Sequence, residues 1–305
     1  MRTVAVMGAG AVGGYFGGLL ARSGVDVSFI ARGRHLEALK RKGLIVKSVH
    51  GDFSLPVEAT SDPRVVGPVD LLLFCVKSYD TEQAIRQALP MVGPSTLVLS
   101  LQNGVDNGEK LATVVGKEKV LVAAVSVDSG VPEPGVIAHM GEGRIVFGEP
   151  DGGLSERAKW LEVFLNQHDV PAQASEDVRR PQWSKFVWNA AFNPINAIIG
   201  GPVRRIVQHP LTLELARRTM EEVVQIAEAF GILLPNDLIE RHLGSTETIG
   251  LEVKTSTLQD LEAGKPLEAE ALSGTVVRKG QALGIPTPYS LSLYALLASL
   301  QRTPA

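Results

Sequence analysis

The strongest constraint on this chain lies at its N-terminus. A short apolar run, Thr3–Met7, leads directly into Gly8, Gly10 and Gly13 in the spacing G-x-G-x-x-G. Residues 12–23 then repeat at helical spacing, and residues 25–30 form a second apolar run. Strand, tight turn, helix and strand in this order form a dinucleotide-binding βαβ unit. Each glycine has a separate task. Gly8 permits the turn, Gly10 lets backbone approach a pyrophosphate, and Gly13 lets helix and strand pack closely. The helix N-terminus offers backbone N–H groups and the positive end of its dipole to the phosphates, so Ala11 and Val12 join the glycines as expected cofactor-binding residues. The competing reading is a glycine-rich turn kept for packing alone.

The end of the second strand selects the dinucleotide. An NAD site places Asp or Glu there, about 20 residues after the glycines, to bond the ribose 2′-hydroxyl. This chain has Ala31-Arg32-Gly33-Arg34, and Asp26 stands at the wrong end of the strand. A guanidinium can hold a 2′-phosphate through two parallel charge-assisted hydrogen bonds. NADP(H) is therefore expected, with Arg32 as its reader and Arg34 as a helper. The alternative for both is a solvated surface arginine.

Further along, residues 70–76 and 96–101 are continuous apolar runs of the kind found in buried parallel strands. Lys77 follows the first, and Gln102-Asn103-Gly104 the second. Gly8, Arg32, Lys77 and Asn103 each come just after a strand, so a parallel sheet brings them to one edge, where such folds bind ligands. Lys77 and Asn103 are accordingly expected at the cofactor, with a solvated lysine and an Asn-Gly turn as the alternatives. Strands are also expected at residues 44–48, 53–57, 119–126, 135–139, 144–148 and 170–174. A helix over residues 154–167 should bury Trp160, Leu161, Phe164 and Leu165.

Beyond Asp177 the pattern is helical, with helices expected at residues 183–199, 211–230, 236–243, 256–262, 267–283 and 291–301. The fold class is thus α/β, a Rossmann-type doubly wound sheet over residues 1–177 followed by an all-helical region over 178–305. Within residues 183–199, Lys185, Asn189 and Asn193 fall at i, i+4 and i+8, which drifts only about 40° per step around a helix. The rest of that helix is apolar nearly all round, so its polar stripe is expected to face a ligand site. Pro194 should kink it. An ammonium near a ketone can stabilise the charge that develops on oxygen and deliver the proton. Lys185 is the candidate. The alternative is a lysine at the domain surface, with the asparagines bonding backbone.

A net charge of −3 without a basic stripe argues against nucleic acid. The single cysteine, Cys75, lies inside an apolar run and suits packing better than nucleophilic attack. The six histidines are scattered without a ligand-spaced pair, which gives a metal site no support. No apolar run approaches a membrane span, and the N-terminus is a strand rather than a leader. A cytoplasmic enzyme acting on a small, polar, acidic ligand is expected, and a homodimer is left open.

Taken together, the GAGAVG stretch, Lys77, Gln102-Asn103-Gly104 and W-x-K-x-x-x-N-x-x-x-N-P at residues 183–194 resemble the ketopantoate reductase (2-dehydropantoate 2-reductase) family. The likeness continues through residues 255–274, TSTLQDLEAGKPLEAEALSG, and Gly284-Ile285-Pro286-Thr287-Pro288. It implies NADPH-dependent reduction of 2-dehydropantoate to pantoate, a step toward pantothenate and coenzyme A. By motif match, Lys185 would be the general acid and Glu268 the second catalytic group. Asn189, Asn193 and Ser256 would hold substrate, and Asn103 would touch both cofactor and substrate. Glu268 is not legible without the resemblance. It falls in the expected first turn of a helix, where acids oppose the dipole, and Glu270 shares that property.

The chain departs from the family pattern twice. Leu251-Glu252-Val253-Lys254 and Gly201-Pro202-Val203-Arg204 stand where substrate-side asparagines are common. Two other readings stay in play. One is a sister reductase or dehydrogenase of another small oxoacid or hydroxyacid. The other is a non-catalytic NADP(H) sensor.

Overall fold

In the computed structural model, which describes residues 2–245 and 252–300, the chain divides into two compact units, Met1–Arg179 and Arg180–Ala305. Leu251 and Gln301, included in the expectations above, lie outside the described residues.

The first unit is built on one mixed sheet. Its strands are β1 (Thr3–Met7), β2 (Asp26–Ile30), β3 (Leu44–Ser48), β4 (Phe53–Leu55), β5 (Glu58–Thr60), β6 (Val69–Phe74), β7 (Val92–Ser100), β8 (Val120–Glu133), β9 (Val136–Gly148) and β10 (Ala172–Ala174). They run in the order β4-β3-β9-β8-β7-β6-β1-β2-β5, with β10 beside β9. β1 pairs parallel with β2 on one side and with β6 on the other. The chain therefore reverses its direction of travel across the sheet at β1, and that reversal opens a crevice at the strand ends.

Alternation along the central strands explains the double winding. Val4 and Val6 of β1, with Leu71 and Leu73 of β6, enter one core beneath α1 (Ala11–Arg22), α2 (Gly33–Lys42) and, farther along, α5 (Glu156–Gln167). Ala5, Met7, Leu72 and Phe74 enter the opposite core beneath α3 (Thr81–Ala88) and α4 (Asn107–Val115). Strands apolar on both faces require covering on both faces.

Several expectations are corrected. The three strands expected over residues 119–148 are two long antiparallel ones, β8 and β9, whose pairing slips at Ser126/Val127, Asp128/Ser129 and Gly130/Glu133. The slips account for the broken sequence pattern, since each interrupts the alternation of faces. β7 begins at Val92 rather than after Pro94. The prolyl residue is exposed, at a register shift, where no ladder donor is needed. β5, beyond Pro56, was not anticipated. It extends the sheet past β2. Trp160 is 48% exposed instead of buried, while Leu161, Phe164 and Leu165 do pack inward.

The second unit is helical: α6 (Arg179–Ile199), α7 (Arg204–Val207), α8 (Pro210–Ala229), α9 (Leu238–Ser245), α10 (Ser256–Glu262), α11 (Thr275–Leu283) and α12 (Pro288–Ser299). α6 starts four residues earlier than expected and continues through Pro194 as one helix. The single helix expected over residues 267–283 is instead a π-helical segment, Glu270–Gly274, leading into α11. Glu222 of α8 caps α12, accepting from the backbone N–H groups of Tyr289 and Ser290, both at 2.8 Å, and from the Ser290 hydroxyl at 2.6 Å. No helix among the described residues is long and apolar enough to cross a membrane.

Candidate active site

The glycine turn sits at the sheet's reversal point. Gly8 has φ +100°, a conformation that L side chains rarely adopt. The N–H groups of Gly8 and Ala9 both donate to the Ile30 carbonyl, at 3.2 and 3.1 Å, which ties the turn to the end of β2. A Cβ on Gly13 would stand 2.2 Å from the Gly8 carbonyl oxygen, so only glycine allows this packing. A Cβ on Gly10 would meet nothing within 4 Å. Gly10 therefore fronts open space at the start of α1, where no side chain caps the helix and no acid stands in the first turn. Ala11, Val12 and Gly13 thus form an uncapped, acid-free helix start of the shape and polarity that a pyrophosphate requires.

Arg32 lies beyond the end of β2, as N-cap of α2, with its side chain 58% exposed. Its Nη2 donates to Asp80 Oδ2 at 3.2 Å. Arg34 stands two residues on, beside Glu37, Arg41 and Glu133. Lys77 caps the single 3-10 turn Ser78–Asp80 after β6.

The loop after β7 is held by a buried polar network that the sequence did not disclose. Gln102 Nε2 donates to the Val76 carbonyl at 3.0 Å and to the Thr81 hydroxyl at 2.7 Å. Asn107 Nδ2 donates to the Asn103 carbonyl at 2.7 Å, and the Thr81 hydroxyl donates to Asn107 Oδ1 at 3.0 Å. These bonds fix the turns carrying Lys77 and Asn103 against each other. A fully satisfied buried network is rigid, which suits a binding edge. Burial pushes the Cys75 thiol well above the ordinary cysteine range, which leaves it inert.

In the second unit, Lys185, Asn189 and Asn193 share one stripe of α6. Lys185 is half-buried, and the two asparagines are 7% and 3% exposed. Neither side-chain amide is paired with another described residue, although buried amides ordinarily are. Trp188 stacks on Phe192 beside the stripe, with ring centroids 4.8 Å apart. One turn away, His242 Nε2 donates to the Ser184 carbonyl at 2.8 Å, which anchors α9 to α6 next to Lys185.

Asn196 has a different use. Its Oδ1 accepts from the Thr255 N–H at 3.0 Å and from the Thr255 hydroxyl at 3.1 Å, and its Nδ2 donates to the Gly201 carbonyl at 3.0 Å. Thr255 in turn caps α10, so Asn196 sets the position of the exposed Ser256. The two departures noted in the sequence meet here. The Val203 N–H donates to the Val253 carbonyl at 2.8 Å, and Arg204 pairs with Glu252.

Glu268 and Glu270 differ sharply in setting. Glu268 is 8% exposed, not in a helical first turn but just before the π segment. Its neighbours Leu267 and Ala269 pack with Ala197 of α6. Glu270 is paired at the surface with Arg278 and Tyr294.

A doubly wound sheet with this glycine cradle, joined to a separate helical unit bearing a lysine–asparagine stripe, defines a nicotinamide-dinucleotide oxidoreductase. More narrowly, the chain belongs to the ketopantoate reductase PanE/ApbA family, which matches residues 4–152, with the family's C-terminal domain matching residues 177–301. It is 33% identical to a 2-dehydropantoate 2-reductase of Mesorhizobium japonicum, covering 98% of this chain and 97% of that protein. A crystal structure of a PanE/ApbA family ketopantoate reductase from Ralstonia eutropha is 38% identical, covers 98% of both chains and has a TM-score of 0.92. The fold alone is shared with a D-mandelate dehydrogenase solved with NADH, at 23% identity, 98% of both chains and a TM-score of 0.92.

Proposed function

We propose that this chain reduces 2-dehydropantoate to pantoate with NADPH, a cytoplasmic step toward pantothenate and coenzyme A. The observation that carries the reading is the α6 stripe, a half-buried lysine followed by two buried amides that pair with no other described residue. Relatives named 2-dehydropantoate 2-reductase along nearly the whole chain support it.

A dinucleotide held by this chain would supply the hydride for the ketone carbon. The chain's own residues do the rest. Gly8, Gly10, Ala11, Val12 and Gly13 hold the pyrophosphate, Arg32 reads the 2′-phosphate, and Lys77 and Asn103 line the cofactor edge. Asn189, Asn193 and Ser256 orient the substrate's polar groups, with Asn103 also against the substrate. Lys185 stabilises the charge developing on the ketone oxygen and gives that oxygen its proton, which yields the 2-hydroxyacid. Glu268 accepts a substrate hydroxyl and holds it in register. Its buried setting, unlike the surface pairing of Glu270, supports that choice.

A second reading, a sister reductase of another small 2-oxoacid, is favoured by one observation. Valines stand at both departures, and their backbones bond each other where amide side chains would reach substrate. A site built on hydrogen bonds is sensitive to each one lost. The test follows oxidation of NADPH by purified protein with 2-dehydropantoate, beside NADH and a panel of 2-oxoacids. Rapid, NADPH-selective turnover of 2-dehydropantoate is expected. Selective turnover of another oxoacid would move the assignment to the sister reading.

A further inference from the structure

We infer that Asp80 is a cofactor-selectivity residue acting against Arg32, so that this chain discriminates less sharply between NADPH and NADH than its arginine alone would dictate. The inference rests on the nicotinamide-reductase reading and concerns which form of the cofactor is held.

Three observations converge. Asp80 occupies the N-cap position of α3, where an aspartate normally turns back to accept a backbone N–H of its own helix. Here it makes no such bond. Its Oδ2 instead accepts from Arg32 Nη2 at 3.2 Å, across 48 residues of sequence. Both side chains are solvated, 58% and 34% exposed, so the pair is not a buried structural bridge. The topology explains the meeting. Arg32 follows β2 and Asp80 follows β6, and these strands flank β1, whose Met7 pairs with Ile30 on one side and Phe74 on the other. The two groups therefore project from the edge that carries Gly8.

The chemistry is opposed by design of charge. A 2′-phosphate is a near-dianion and must share the Arg32 fork with a carboxylate already bonded to it, which repels it. A ribose 2′-hydroxyl meets the opposite situation. An acid at the strand-end edge is what an NAD site uses to accept that hydroxyl, and Asp80 brings one from β6 although β2 lacks it. Arg32 favours one cofactor and Asp80 the other.

The test measures dissociation constants of NADPH and NADH by calorimetry for the unaltered chain, Asp80→Asn, Arg32→Ala and the double variant, at two salt concentrations. Asn is isosteric, and no cap is lost. Asp80→Asn is expected to tighten NADPH about three- to tenfold, the scale of one unit charge a few ångström away in a solvated site, and to leave NADH unchanged or weaker. The gain should shrink at higher salt and be smaller in the Arg32→Ala background, where competition for the fork is gone and only the direct charge repulsion remains. If the ratio of the two constants holds or shifts toward NADH, Asp80 serves to orient Arg32 for the phosphate and the inference is overturned, with the reductase reading intact. Failure of the unaltered chain to bind either dinucleotide would overturn both.

Discussion

Lys185 and Arg32 are both cations, but they should fail in different ways. Lys185→Ala removes the proposed proton donor and should lower kcat by about a hundredfold or more, with the NADPH dissociation constant nearly unchanged. Equal loss of binding and turnover would assign Lys185 a structural part. Arg32→Ala removes a charged hydrogen-bond donor. It should weaken NADPH about ten- to a hundredfold and leave NADH where it was, which titration of both cofactors checks.

At the scale of elements, the short segments around α10 and the π turn carry Ser256 and Glu268, the proposed substrate-side residues. Asn196→Ala would leave the buried Thr255 N–H and the Gly201 carbonyl without their partner. The expected cost is about 2 kcal/mol or more of stability, read from urea unfolding, because buried polar groups left unpaired are expensive. The π segment begins just after Glu268, and such segments recur at functional sites. Glu268→Gln should lower turnover of 2-dehydropantoate by about a hundredfold. Glu270→Gln should leave it almost unchanged, since that side chain makes only exposed surface pairs. A reversed ranking would show the motif to be misaligned by two residues.

At the scale of the whole molecule, each unit contains a histidine whose charged form is disfavoured by burial. Burial pushes His35 below the usual imidazole range, and its Nδ1 accepts the Gly135 N–H at 3.2 Å, a bond that protonation would remove. Burial likewise lowers His242, which anchors α9 to α6. The unfolded chain takes up these protons near pH ~6.5 and the folded chain only below that. Stability from both histidines is therefore complete above pH ~6.5 and declines as pH falls through the depressed folded values. Thermal unfolding between neutral and mildly acidic pH should show the decline, and His242→Gln should flatten its share.

The sequence alone determined the first unit's architecture and the placement of Lys185, Asn189 and Asn193 on one helix stripe. A glycine triplet between strand and helix, apolar strands at regular intervals and i, i+4 spacing are local patterns, and local backbone physics enforces them. The resemblance added Glu268, which no periodicity marks. What tertiary structure decided depends on contacts between residues far apart in the chain. It merged three expected strands into β8 and β9, because pairing bridges the slips that break alternation. It exposed Trp160 and turned the expected first turn at Glu268 into the approach to a π segment. It separated Asn196, a structural clamp, from Asn189 and Asn193, whose amides lack described partners, although all three share a helix stripe. It also brought Asp80 to Arg32. No local pattern carries that pairing, because it exists only once β2 and β6 lie on either side of β1.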